Sequence, residues 1–433
     1  MKEKKIKIKG REVDLIKLFC IFMSIGMGIT IIALFITRGE LFSHIFFQDK
    51  IDTGMDFFHS IEYTRGRKPY ENWNTLYPPL ANFIFYLLYR LVPIDISRSW
   101  EDTFDSSISA RGTEIDLRTN QATMVLFIIF IILTVMLIAG IVQKYFEFSE
   151  MSFGLAAMVI SSYGMLWAYE RGNIIIITVA CSMIFVFFYD SQNKYVQEIA
   201  IIALAIAAAL KLYPALFGIM LLYNKQYKKA IRTLIYGACC FVLPVFVFKE
   251  GLTGIKLFLE ILTTHTEVET LILAAEGFSL TQFVASVILQ IQQWTNVLVN
   301  ETIILEVFPK ISMIVSGVLL LAGFRLRNKW QQALVCVVSM LLYSYQAYYA
   351  LSFLLIPLLV MIKEDKILGC SNIIPFAILV VSQIVLPIRK QMIGVWDVRD
   401  LRFQVCLLGL VGYIIFEAVA ELILLRKQKT EDI

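Results

Sequence analysis

The strongest constraint on the fold of this chain is a series of long apolar runs that recur from one end to the other. Runs such as 15–37, 122–142 and 403–425 approach the about 20 residues that an α-helix needs to cross a bilayer. Charged residues make up only 17% of the 433 residues, and mean hydropathy is +0.72, whereas about a quarter of a soluble protein is charged. We therefore predict an all-α fold, a polytopic transmembrane helical bundle of roughly eleven to thirteen spans.

The basic residues predict how the chain is oriented in the membrane. Short clusters of lysine and arginine flank apolar runs at 2–11, 225–232, 325–329 and 426–429. By the positive-inside rule these clusters are cytoplasmic, and their position beside apolar runs makes nucleic acid a poor explanation for them. We predict a multi-pass protein of the cell membrane with a cytoplasmic N-terminus (1–14), a single membrane-embedded domain (15–425) and a cytoplasmic tail (426–433).

The sequence carries few signals for metal or cofactor chemistry. Its seven cysteines show no C-x-x-C pairing, so neither a disulfide framework nor a zinc site is indicated. Asp52 and Asp56 alone would make a thin cation site. The lack of a phosphate-binding glycine loop and of a nucleotide fingerprint argues against a nucleotide-sugar donor. We expect no metal ion and no cofactor.

The first polar segment, residues 38–76, follows the first apolar run and is rich in acidic, basic and aromatic residues. Wound as a helix, its middle part places polar residues on one side, namely Asp52, Asp56, His59 and Tyr63. The other side is apolar and comprises Phe57, Phe58 and Ile61. This pattern predicts a helix in the bilayer interface, with its aromatic rings in lipid and its carboxylates facing a wet cavity. We interpret this segment as an outer loop that forms half of an active site.

A carboxylate on the wet face of such a helix could act as a general base, and Asp56 is the first candidate. The alternative is an ordinary solvated acid. His59 could orient Asp56 or the substrate. Arg65, Arg67 and Lys68 follow on the same segment and could help to neutralise a phosphate.

Lys211 lies near the middle of the apolar segment 198–223. Pro214 interrupts helical hydrogen bonding, so the segment is either one kinked span or two short helices that turn at 211–214. An ionisable residue within a membrane segment is a functional hypothesis by default, and a lysine can bind a phosphate as a point charge. The alternative is that its ammonium group snorkels to an interface.

Two further residues could reach the same cavity. Arg171 lies between two apolar runs, as an interface anchor, an ion-pair partner of Glu170 or a phosphate contact. His265 lies in the second polar segment, residues 249–302, which we predict on the same side as the first. The late aromatic run 343–349 is either an interface belt or a sugar-stacking surface.

Several short motifs together resemble a known family. Asp56-Phe57 in the first polar segment and Tyr77-Pro78-Pro79-Leu80 at the next helix are similar to the integral-membrane C-type glycosyltransferases. Gly172-Asn173 and residues 208–214, which read AALKLYP, more narrowly resemble glycosyltransferase family 87. Ser279-Leu280 and the stretch 345–357 fit the later half of that family more loosely.

The resemblance implies an enzyme that transfers a hexose, mannose or a similar sugar, from a polyprenyl-phosphate donor. Its acceptor would be a glycolipid or cell-envelope glycan on the outer face, and the reaction would invert the anomeric centre. The family's catalytic aspartate carries over to Asp56 and its lysine before Tyr-Pro to Lys211. The expected substrate-binding residues are Lys211, His59, Asp52, Tyr63, Arg65, Arg67, Tyr77, Arg171, Tyr213 and His265.

The alternatives are a lipid-linked glycan flippase or transporter, and a glycan polymerase or ligase. A transporter would favour several charged residues inside spans and paired internal repeats, and neither pattern stands out here. The partners that we expect are therefore a lipid-linked sugar donor, a glycolipid or glycan acceptor, and the membrane lipids.

Overall fold

The computed structural model describes residues 7–8, 11–47, 53–93, 117–264, 277–297, 300–342, 347–389 and 391–431. The first ten α-helices are α1 (Leu15–Ile36), α2 (Glu40–Ile45), α3 (Met55–Tyr63), α4 (Pro69–Trp73), α5 (Pro79–Tyr89), α6 (Gln121–Tyr145), α7 (Glu150–Ile160), α8 (Tyr163–Arg171), α9 (Ile175–Phe188) and α10 (Lys194–Leu210). The next nine are α11 (Ile219–Tyr223), α12 (Tyr227–Val242), α13 (Thr253–Thr264), α14 (Leu280–Thr295), α15 (Glu301–Ala322), α16 (Lys329–Leu342), α17 (Leu355–Asp365), α18 (Ile373–Gln383) and α19 (Val398–Glu431).

The remaining regular structure consists of short elements. The 3₁₀ segments are Leu117–Thr119, Tyr213–Gly218, Leu243–Val247, Gly323–Arg325 and Tyr348–Leu354. Strands β1 (Lys7–Ile8) and β2 (Arg11–Glu12) form one antiparallel pair, and β3 (Met392–Ile393) and β4 (Trp396–Asp397) form another. The predicted all-α helical bundle is confirmed.

The helix lengths correct the predicted number of spans. Among the described residues, 5 helices are long and apolar enough to cross a membrane, or 6 if α7 and α8, which meet at a bend of 58°, count as one broken span. Other apolar runs fold as helices of 10–17 residues, which cover only about 15–25 Å of the roughly 30 Å hydrocarbon layer. By length and composition, the described residues thus hold fewer full-length spans than the roughly eleven to thirteen predicted for the whole chain.

The long and the short helices occupy different places in the bundle. Every residue from Trp330 to Leu342 in α16 is buried, as is every residue from Leu355 to Ile362 in α17. By contrast, α1, α12 and α15 carry exposed apolar side chains such as Phe35, Leu234 and Leu321. A short apolar helix is stable in the middle of the bundle because protein rather than lipid surrounds it.

The apolar face of α3 packs differently from the prediction. Phe57, Phe58 and Ile61 are 0%, 1% and 0% exposed. The ring of Phe57 lies 5.2 Å from that of Phe127 and 5.1 Å from that of Phe130, both in α6. The prediction that these aromatic rings lie in lipid is wrong, because a helix from a distant part of the sequence covers them.

Contacts between the two polar segments hold the stretch after α3 in place. The Arg67 side-chain Nε donates a hydrogen bond to the Val247 carbonyl at 2.7 Å. The backbone N–H of Lys249 donates in return to the Arg67 carbonyl at 2.8 Å. The guanidinium of Arg67 thus joins the first polar segment to the start of the second.

Glu250 caps the short helix α4 from the second polar segment. Its Oε1 atom accepts hydrogen bonds from the backbone N–H groups of Tyr70 at 2.9 Å and Glu71 at 2.7 Å. These N–H groups belong to the first turn of α4 and have no partner within the helix. Burial raises the pKa of the Glu250 carboxyl above its ordinary value of 4.5.

The cap leads to a stability prediction. We expect Glu250→Ala to lower the free energy of unfolding by about 1 kcal/mol, because two N–H groups lose their acceptor. Glu250→Gln keeps a carbonyl oxygen there. Because folding raises the pKa of Glu250, the protonated carboxyl stabilises the folded wild-type protein below pH 4.5. This stabilisation is lost as pH rises through the pKa of Glu250 in the folded protein. Glu250→Gln should therefore gain stability relative to wild type from pH 5 to pH 8.

Thermal unfolding of the detergent-solubilised proteins at both pH values measures these differences. Glu260→Gln is the matched control, because Glu260 is exposed and its side chain pairs with Lys256, one turn earlier in α13. An alanine variant as stable as wild type would contradict the capping role.

Candidate functional site

Asp56 lies in the first turn of α3, and the start of this helix is tied to the end of α8. The backbone N–H of Gly54 donates to the Glu170 carbonyl at 2.9 Å. The Thr53 hydroxyl donates to Glu170 Oε1 at 2.8 Å. These bonds bring the first polar segment to the break between α8 and α9.

The break itself depends on a glycine. Gly172 ends α8 with φ +63, a left-handed conformation that favours glycine. A Cβ atom here would lie 2.7 Å from Phe57 Cβ and 2.6 Å from the Phe127 ring. Because Gly172 has no side chain, α3 can approach the turn between α8 and α9. Arg171 and Asn173, on either side of Gly172, can then reach Asp56.

Both carboxylate oxygens of Asp56 accept a hydrogen bond from those neighbours. Arg171 Nη2 lies 3.1 Å from Oδ1, and Asn173 Nδ2 lies 2.7 Å from Oδ2. The Asp56 side chain is 20% exposed, so the carboxylate is held in one orientation without being closed off. A carboxylate in this arrangement can act as a general base on a bound substrate.

A second cation lies beside this carboxylate. Helix α10 ends at Leu210, and Lys211 has an extended backbone with φ −146 and ψ 133. Of the two predicted interpretations of segment 198–223, the break favours two helical pieces over one kinked span. The Lys211 ammonium lies 4.9 Å from the centre of the Tyr77 ring and 5.2 Å from that of Tyr349, and its charge interacts with that of Asp56.

Tyr349 reaches the site through a close packing of backbones. The 3₁₀ segment Tyr348–Leu354 packs along α8. A Cβ atom on Gly164 would lie 2.5 Å from the backbone nitrogen of Ser352, so only a glycine at this position permits the approach. The late aromatic run thus contributes at least one tyrosine to the surroundings of Lys211.

The other predicted site residues have varied positions. The rings of His59 and Tyr63 in α3 are 5.7 Å apart, and the ring of Tyr63 lies 5.4 Å from that of Trp73 at the end of α4. The ring of Tyr213 packs edge-on against that of Phe353, with their centres 5.6 Å apart. Arg65 pairs with Glu62 at 3.6 Å, and Arg67 binds the Val247 carbonyl as described above. Asp52 and His265 lie outside the described residues.

The structure thus brings together Asp56, Tyr77, Arg171 and Lys211 from four separate parts of the chain. The sequence model of glycosyltransferase family 87 matches residues 75–345, which is more than half of the chain. The chain belongs to glycosyltransferase family 87. No curated protein and no solved structure matches it.

Membership of family 87 makes this protein a membrane glycosyltransferase. The matched region includes Tyr77, Arg171 and Lys211, whereas Asp56 precedes it. Among the described residues, no group of three or more His, Cys, Asp or Glu side chains could hold a metal ion.

The family 87 protein also has an apolar groove beside the candidate site. Its volume is about 230 Å³, and it lies between α5, α6 and α9. The lining residues are Leu88, Leu126, Ile129, Phe130, Leu133, Thr134, Leu137 and Ile177. Because Phe130 also packs on Phe57, the groove adjoins the buried face of the helix that carries Asp56.

Asn173 and Tyr349 are site residues that the sequence reasoning did not single out. Asn173 was noted only as part of the Gly172-Asn173 motif, and Tyr349 only as part of an aromatic run. The signal for Asn173 is its position two residues before an apolar helix, which is typical of a side chain that caps a backbone N–H. No local pattern indicates that the same side chain reaches Asp56.

Proposed function

We propose that this protein transfers a hexose, mannose or a similar sugar, from a polyprenyl-phosphate donor to a glycolipid or cell-envelope glycan, with inversion. One observation carries the proposal. The partly exposed Asp56 carboxylate is held by Arg171 and Asn173 next to the charge of Lys211.

Asp56 is the general base of the proposed reaction. Each of its oxygens accepts one of the hydrogen bonds described above, which leaves a lone pair free to take a proton from an acceptor hydroxyl. The acceptor oxygen then bonds to the anomeric carbon of the sugar while the bond from that carbon to the phosphate oxygen breaks. Attack from the face opposite the phosphate inverts the anomeric centre.

The leaving group is a lipid phosphate that is stable as an anion, so the proposed reaction needs no general acid. A cation near the breaking bond stabilises the charge that develops on the phosphate oxygen. Lys211 is the candidate, because the rings of Tyr77 and Tyr349 hold its ammonium group beside Asp56. Arg171 is already paired with Asp56 and serves in this proposal to orient the base.

The groove between α5, α6 and α9 supports a donor with a long hydrocarbon chain. Of the side chains that line it, all except Thr134 are apolar. Such a groove can accept an isoprenoid chain from the bilayer without moving it out of apolar surroundings. A polyprenyl chain in this groove would lie next to α3, the helix that carries Asp56, because Phe130 packs on Phe57.

A row of aromatic rings from α3 and α4 supports a sugar acceptor. His59, Tyr63 and Trp73 form a continuous row of rings that begins one turn after Asp56. Flat rings of this kind can contact the C–H face of a sugar while their polar atoms bind its hydroxyl groups. We propose that this side of the protein faces outward from the cytoplasm, as the positive-inside rule predicts from the basic clusters.

A transfer assay with the purified protein in lipid tests the proposal. It offers a panel of polyprenyl-phosphate monosaccharides, with nucleotide sugars as the comparison and a membrane lipid extract as the acceptor. We expect sugar transfer from a polyprenyl-phosphate hexose only, and the anomeric configuration of the product to be opposite to that of the donor. Transfer from a nucleotide sugar, or a product of retained configuration, would refute the proposed reaction. Saturable binding of a lipid-linked glycan without any turnover would favour a flippase.

A further inference from the structure

Asn173 makes three hydrogen bonds at the candidate site. It is 1% exposed and lies in the turn between α8 and α9. Its Oδ1 atom accepts a hydrogen bond from the backbone N–H of Ile175 at 2.9 Å. A backbone N–H can only donate, so this bond determines which end of the amide is the oxygen. The amide nitrogen of Asn173 must therefore face the site.

The amide nitrogen uses both of its hydrogens within the site. One is donated to Asp56 Oδ2 at 2.7 Å and the other to the Tyr77 hydroxyl at 3.1 Å. Because the amide nitrogen can only donate, the Tyr77 oxygen must accept this bond. The hydrogen of the Tyr77 hydroxyl is then left to point away from Asn173. Within the described part of the chain, no acceptor for it is found.

We propose that Asn173 is a positioning residue that orients the Asp56 carboxylate and also turns the Tyr77 hydroxyl into a donor toward a phosphate oxygen of the sugar donor. Lys211, whose ammonium lies over the Tyr77 ring, would bind the same phosphate. The charged ammonium of Lys211 and the neutral hydroxyl of Tyr77 would then both donate hydrogen bonds to the same phosphate, beside the Asp56 base. This inference rests on the proposed function of Asp56 and Lys211.

Asn173→Asp tests the first half of the inference. Aspartate has the same shape and can still accept from Ile175, but it places a second carboxylate against Asp56. The other charged or titratable groups that face Asp56 are Arg171 at the end of α8, Lys211 after α10 and Tyr77 before α5, with His59 on its own helix. Two adjacent carboxylates resist ionising together. We expect the acidic limb of the pH profile of kcat/KM to move up by about one pH unit or more.

Asn193→Asp is the matched control. Asn193 precedes α10 and accepts a backbone hydrogen bond from Tyr195, two residues on, at 2.9 Å, the same bond that Asn173 makes to Ile175. It is exposed, so its replacement should leave the pH profile unchanged. A profile for Asn173→Asp that coincides with wild type, in a variant of normal thermal stability, would overturn the role of Asn173.

Tyr77→Phe tests the second half and does not depend on whether Asn173→Asp folds. Loss of the hydroxyl should raise KM for the polyprenyl-phosphate donor about tenfold, with KM for the acceptor and the acidic limb of the profile unchanged. An unchanged donor KM would overturn the assigned direction of the Tyr77 hydroxyl. Wild-type protein that transfers no sugar contradicts the proposed function itself, whereas an active wild type with unmoved variants contradicts only this inference.

Discussion

Replacement of Asp56 by asparagine is expected to lower kcat for sugar transfer by roughly 10³-fold or more. Asparagine has the same shape but cannot take a proton from the acceptor hydroxyl. The partners of Asp56 are donors, Arg171 Nη2 at 3.1 Å and Asn173 Nδ2 at 2.7 Å, and the new amide can still offer its oxygen to one of them. We therefore expect protein yield, thermal stability and affinity for the polyprenyl-phosphate donor to stay near the wild-type values.

The matched control for this variant is Asp190→Asn. Asp190 is also paired with a cation, since its Oδ1 atom lies 2.7 Å from Lys329 Nζ, but it lies between α9 and α10 in a separate ion pair. Its loss should leave transfer unchanged. Transfer by Asp56→Asn at the wild-type rate would rule out the general base. Loss of donor binding together with activity would instead assign Asp56 to substrate binding.

Replacement of Lys211 by methionine is expected to lower kcat/KM by roughly 10²-fold, because the proposed phosphate leaving group would lose the cation that stabilises its developing charge. Methionine keeps most of the length of the side chain. An ammonium group in an apolar segment is costly to bury, so the variant should be at least as stable as wild type. Lower activity without lower stability is the combination that distinguishes a functional lysine from a structural one.

Lys329→Met is the control for Lys211. The Lys329 ammonium lies 4.9 Å from the centre of the Tyr189 ring, the same distance that separates Lys211 from the Tyr77 ring. If contact with a tyrosine ring were the purpose of both lysines, the two variants would behave alike. A Lys211→Met enzyme with wild-type kcat/KM would favour the snorkelling interpretation.

Much of the fold could be predicted because helix formation in an apolar chain depends on local residues. The first predicted span, 15–37, is helix α1 from Leu15 to Ile36. The spacing of polar residues in the first polar segment predicted a helix, and the structure has helix α3 there, which includes Asp56, His59 and Tyr63. Pro214 predicted a break near Lys211, and α10 ends one residue before that lysine. Each of these features is encoded within a few turns of sequence.

Other features could not be read locally. The sequence correctly located the apolar face of α3. The spacing of its apolar residues cannot show whether that face contacts lipid or another helix, and in the structure it contacts α6. Apolar runs shorter than a span looked alike whether they faced lipid or, as in α16, lay wholly within the protein. The guanidinium of Arg67 has the chemistry of a phosphate ligand, yet it donates a hydrogen bond to the Val247 carbonyl, which is 180 residues away in sequence.

The candidate site shows the same division at the level of single residues. Sequence was sufficient for the membrane class, the helices, and Asp56 and Lys211 as the residues with the strongest chemical signal, because composition and short motifs carry that information. The tertiary structure decided which partners these residues have, since Arg171 and Asp56 are 115 residues apart and Asn173 and Asp56 are 117 apart. Those contacts depend on how α3, α8 and α9 pack around Gly172, and packing between distant helices leaves no periodic trace in the sequence.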